Sequence, residues 1–94
     1  MVNRPENWQD RAIVSPTVLH SGPYRFFFFS SDRSEPPHVH VARERKLAKF
    51  WLGPVRVAAN DGFGAREIRR LAGLVEQHEA DIRKAWHEYF GIPG

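Results

Sequence analysis

The chain contains no cysteine. Disulfides and thiolate metal sites are therefore excluded, in keeping with a reducing cytoplasm. No apolar run approaches the ~20 residues of a membrane-spanning helix. The opening "MVNRPENWQDR" has no apolar signal core, so the expectation is a cytoplasmic protein without membrane contact. There is no internal repeat, no low-complexity tract, no Gly-rich phosphate loop, no serine or cysteine nucleophile signature and no paired-carboxylate motif.

The 94 residues make one domain. A chain of this size buries roughly 65% of its extended surface, enough for one core without covalent staples. The net charge of +3 mildly favours an acidic partner such as RNA, DNA or an acidic protein, although small domains often carry such a charge. Residues 1–14 are polar or helix-breaking around a single Trp8 and read as a flexible N-terminal extension; residues 15–94 read as a single α+β domain.

"YRFFFFS" (24–30) follows Gly22-Pro23 and reads as a strand. Alternation puts Tyr24, Phe26 and Phe28 on one face and Arg25, Phe27 and Phe29 on the other. Thr17–His20 can add a short strand before it. "SSDRSEPP" (30–37) is a loop. "HVHVA" (38–42) and "KLAKFWL" (46–52) form a hairpin in which Ala42 opposes Leu47, Val41 opposes Ala48, His40 opposes Lys49, Val39 opposes Phe50 and His38 opposes Trp51. One face is then Val39, Val41, Ala48 and Phe50; the other is His38, His40, Lys49 and Trp51. Both strands agree with this register. "VRVAA" (55–59) is strand or extended, and "NDGFG" (60–64) is a turn.

From Ala65 to Phe90 the apolar residues Ile68, Leu71, Ala72, Val75, Ile82, Ala85, Trp86, Tyr89 and Phe90 recur every three or four positions. They form the stripe of an amphipathic helix. Gly64 caps it, and Glu67 is placed to reach back to the cap backbone. His78 lies on the stripe, where the helix can bend or break; Gly91 ends it. The expected fold is α+β: an antiparallel sheet of three to four strands, with this long helix covering the Val39/Phe50 face. The opposite face would expose Arg25, Phe27, Phe29, His38, His40, Lys49 and Trp51. That apolar and cationic patch is too large to leave wet on a monomer. It is expected to bind another copy, a partner protein or a nucleic acid.

The blocks "SPTVL", "GPYRFFFFS", "EPPHVHV", "AKFWL", "PVRVA", "GFGAREIRRL" and "WHEYF", in this order, resemble the small prokaryotic family described as domain of unknown function 4160. The resemblance runs from about Ser15 to Phe90. It implies a small cytoplasmic protein whose gene often sits beside that of a second small protein, in the manner of a toxin–antitoxin pair. It supplies no catalytic residues. The family pattern often has tyrosine where this chain has Phe29, which suits an outward position, and often a better helix cap than Gly64.

Three readings compete. The first is a protein-binding or RNA-binding domain, one component of a two-gene toxin–antitoxin-like module, contacting a neighbouring gene's product, a second copy or RNA. Its binding residues would be Arg25, Phe27, Phe29, His38, His40, Arg43, Arg45, Lys49 and Trp51. Aromatics among cations suit single-stranded nucleic acid, but a lysine- and arginine-guarded edge strand has the same composition. The second is a metal-independent ribonuclease, with His38 and His40 as general acid and base and Lys49 for the phosphate. The third is a metal-binding protein through the His38-x-His40 pair. That pair points two imidazoles the same way, but zinc wants at least one more protein ligand. Asp32, Glu35 and His20 are the only nearby candidates, and two surface histidines beside Trp51 would look the same. No metal or cofactor is assigned. Arg66, Arg69 and Arg70 oppose the helix dipole, a small cost that an acidic partner would relieve, though a plain solvated face accounts for them better.

Overall fold

The computed structural model describes residues 17–91; the expected extension at 1–14 lies outside the described residues. Five strands form one antiparallel meander: β1 (Thr17–Ser21), β2 (Tyr24–Phe27), β3 (His38–Arg43), β4 (Lys46–Trp51) and β5 (Arg56–Asp61), in that spatial order. Two helices follow, α1 (Ala65–Gln77) and α2 (Glu79–Phe90). The α+β class holds. The sheet has five strands where three to four were expected, and two helices replace the single long one.

The β3/β4 register is the expected one at every pair, from Ala42 opposite Leu47 to His38 opposite Trp51. Both strands alternate, so a one-residue slip would turn Val39, Val41, Ala48 and Phe50 away from the helices. The β5 strand begins at Arg56 and continues through Asn60 and Asp61, two residues expected in the turn. They pair with Ala48 and Leu47, which extends the ladder.

The main core lies between the sheet and the helices. Phe26, Phe28, Val39, Val41 and Phe50 meet Leu71 and Val75 of α1 and Ile82 and Trp86 of α2 there, all fully or almost fully buried. Each such side chain contributes roughly 1.5–3 kcal/mol relative to exposure, so this layer sets the orientation of the sheet. His78 leaves helical geometry (φ −105°, ψ 11°). Its N–H still reaches the Leu74 carbonyl at 3.1 Å, and its carbonyl accepts from Ile82 at 2.9 Å. The break therefore costs little hydrogen bonding and keeps Val75 and Ile82 on the same core.

Gly64 is the residue before α1, but no side chain caps this helix. Glu67 does not reach back to the cap backbone. Its carboxylate instead accepts from the Tyr24 hydroxyl of β2 and from Arg43 of β3 at 3.0 Å, with Lys46 at 3.7 Å. A helix-start acid thus ties the helix layer to three strands.

Candidate functional site

The second sheet face is not the open surface expected. Phe27, Phe29, His38 and His40 are all buried, His38 completely. The reason is local. After Phe29 the chain makes a 3-10 turn, Ser30–Ser34, that drops Asp32 onto β3. The turn is closed reciprocally: the Asp32 N–H donates to the Phe29 carbonyl at 3.0 Å, and the Phe29 N–H donates to Asp32 Oδ2 at 2.8 Å. An acid three residues after the capping residue, here Phe29, is the geometry by which a carboxylate satisfies an orphan backbone donor. Here it also delivers a buried carboxylate to two histidines.

Asp32 Oδ2 lies 3.2 Å from His40 Nε2, which donates to it, and 3.1 Å from His38 Nε2, which is not aligned for a hydrogen bond. Burial pushes the Asp32 carboxyl up, but the His38 and His40 rings and the Phe29 N–H outweigh it and hold the group well below the usual carboxylate range. Burial pushes His40 down, and the opposing pull of Asp32 does not cancel it. The rings are held by aromatic walls. Phe27 stacks on His40 at 5.5 Å between ring centres, and Phe29 meets it edge-on at 4.5 Å. His38 sits between Trp51 of β4 and Trp86 of α2, at 5.5 and 5.1 Å. One imidazole nitrogen from each histidine and one oxygen of Asp32 lie within 4.8 Å of one another, so these three residues could hold a metal ion.

The other expected site residues are dispersed. Glu35 stands on the far side of His38, 3.9 Å from Nδ1, and pairs with Lys49. His20 is exposed on β1 opposite Arg25. Arg43 lies on the helix side of the sheet, bound to Glu67, which corrects its place among the second-face binding residues; alternation along β3 separates it from His38 and His40. Arg45 is exposed at the hairpin tip. Arg25 donates to the Thr17 hydroxyl and lies 4.8 Å over Phe27. Lys49 rests 4.5 Å over the half-buried Trp51 ring. Of the candidate ribonuclease residues, His38 has no solvent-facing surface and Lys49 donates to Glu35.

Part of the second face stays open toward β5. A groove of about 180 Å³ lies beside His40, between Leu47 and Lys49 of β4 and Ala59 and Asp61 of β5. Among the described residues β5 pairs on one side only, with β4. Its Val57 is one of the two large apolar side chains left exposed among the described residues. Sequence reasoning named Asp32 only as one of three possible third ligands. The usable signal was an acid in the short loop joining an aromatic strand to a His-x-His strand.

No helix among the described residues is long and apolar enough to cross a membrane. No curated protein and no solved structure was found to match the chain. A family does match, over residues 24–87, which take in β2 to β5, the Asp32 turn and nearly all of both helices. The chain therefore belongs to the family described as Domain of unknown function (DUF4160).

Proposed function

We propose that this domain binds a partner protein, and that an extended segment of the partner adds to the free edge of β5. The observation that carries the reading is the edge itself: six residues paired on one side only, with Val57 exposed and two alanines at its centre. An unpaired edge offers backbone donors and acceptors to an incoming strand, and the neighbouring groove offers an apolar contact for alternate side chains. Arg56 and, at the hairpin tip, Arg45 are exposed and make no ion pair with a described residue, which favours an acidic segment. The family resemblance supplies the partner class: the small protein encoded beside this one, as in a toxin–antitoxin module.

RNA binding by stacking draws less support, because stacking requires exposed ring faces. Phe27 and Phe29 are buried and Trp51 is half-buried beneath Lys49.

The test is co-purification with the product of the adjacent gene, wild type against Val57→Asp, with growth scored for each gene expressed alone. Wild type is expected to co-elute and the variant to lose the partner while keeping its fold. Partner binding that survives Val57→Asp would sink the β5 assignment. Self-association in place of a heterocomplex would make the partner a second copy.

A further inference from the structure

We propose that Asp32, His38 and His40, which the Ser30–Ser34 turn and strand β3 bring together, form a mononuclear site for a divalent first-row transition ion such as Zn²⁺. The argument starts from one hydrogen. His38 Nδ1 lies 2.9 Å from the Pro36 carbonyl oxygen. A carbonyl only accepts, so the ring carries its hydrogen on Nδ1. In the neutral ring, Nε2 is then a bare lone pair. It is completely buried, has no hydrogen-bond partner among the described residues, and lies 3.1 Å from a carboxylate oxygen. A buried acceptor nitrogen this close to a carboxylate oxygen with no hydrogen between them is unfavourable, and a cation bound by both removes the conflict.

Two of the three ligand spacings already suit a metal, and the histidine nitrogens lie within 4.8 Å of each other. Ligands bound at ~2.0–2.1 Å to a tetrahedral or octahedral ion stand roughly 2.9–3.4 Å apart. The two histidine Nε2 atoms lie 3.1 and 3.2 Å from Asp32 Oδ2. The donors suit one too: two imidazoles and one carboxylate favour Zn²⁺, Fe²⁺ or a neighbour over Mg²⁺ or Ca²⁺. The His38 Nδ1–H bond to a backbone carbonyl is the outer contact that fixes a metal-bound imidazole. The Phe29 N–H does the same for Asp32. His40 has only to move its hydrogen from Nε2 to Nδ1, which no acceptor engages. Access is one-sided: 8% of the Asp32 side chain and 9% of the His40 side chain reach solvent, and none of His38. An ion enters from that side, where further positions remain for water.

The competing occupant is a proton that makes His38 an imidazolium. Long-range proton–nitrogen spectra of the chelator-treated wild-type protein, recorded before and after one equivalent of Zn²⁺, distinguish the two without any variant. The expected result is one Zn²⁺ per chain, with the Nε2 resonances of His38 and His40 shifting together. Asp32→Asn and His38→Gln should each weaken Zn²⁺ binding by roughly tenfold or more, whereas His20→Gln and His87→Gln should leave it unchanged. No stoichiometric uptake would overturn the assignment. So would uptake with the His38 and His40 Nε2 signals unmoved, a His38 ring that stays doubly protonated, or loss of binding in the His20 or His87 variants.

Discussion

Replacing Asp32 by alanine in the metal-free protein tests whether the turn is held by its buried carboxylate. Oδ2 is the acceptor for the Phe29 N–H at 2.8 Å and for His40 Nε2 at 3.2 Å, and both donors belong to buried residues. Each stranded buried donor costs about 1–3 kcal/mol. Removing the carboxylate also ends the cost of burying its charge, which offsets part of the loss. A net of about 3 kcal/mol follows, a large share of the on the order of 5–10 kcal/mol that stabilises a domain of this length. The melting temperature should fall by roughly 12–24 °C. Glu35→Ala is the matched comparison. Its carboxylate binds Lys49, but its side chain is 43% exposed, and a pair of that kind contributes within ~1 kcal/mol. Urea unfolding with chelator present reads both variants on one scale. Equal losses for Asp32→Ala and Glu35→Ala would refute the idea that the turn is clamped by a buried carboxylate.

The metal-free domain should lose stability in acid in two stages, followed by thermal melts from pH 8 to pH 3. His40 is held neutral in the fold while the unfolded chain takes up a proton below about pH 6.5, so stability drops first as pH falls through that value; Asp32 stays ionised in the fold while the unfolded carboxyl protonates near pH ~4, so it drops again there. His40→Gln should abolish the first stage, and an unchanged profile in that variant would refute the assignment. Gly62 joins β5 to α1 at φ +107°, and an added Cβ would stand 3.1 Å from Lys46 Cγ. Gly62→Ala should therefore cost about 1–3 kcal/mol, and a stability within ~0.5 kcal/mol of wild type, measured by urea unfolding, would show that the turn relaxes without strain.

The β3/β4 hairpin was legible because two period-2 patterns had to agree, and only one register buries Val39, Val41, Ala48 and Phe50 together. The helical stripe was legible for the same reason, and the break at His78 was visible as a polar residue on that stripe. The fate of Glu67 was not. Its spacing suits a local cap, but its partners Tyr24 and Arg43 are 43 and 24 residues away, and only the assembled fold brings them to it. The Asp32 turn was hidden in the same way: "SSDRSEPP" has loop composition, and nothing in it announces that the loop folds back over β3.

The second sheet face shows how a correct physical demand can be met in an unexpected way. Five aromatic and imidazole rings on one face needed cover, and a partner molecule was the inference. The chain meets part of that demand itself. A five-residue turn covers His38 and His40, and its only buried polar side chain is the one that touches both. An apolar residue at position 32 would cover the rings equally well, yet it would leave the Phe29 N–H and His40 Nε2 without their acceptor. The carboxylate solves the problem for Phe29 and His40, but it sharpens the one at His38 Nε2, which lies 3.1 Å from it with no hydrogen between them. A cover built only for packing would not concentrate three ligand-type groups around one buried point. That concentration separates the two surfaces: β5 and its groove remain for a partner, and the buried half of the face is left for an ion.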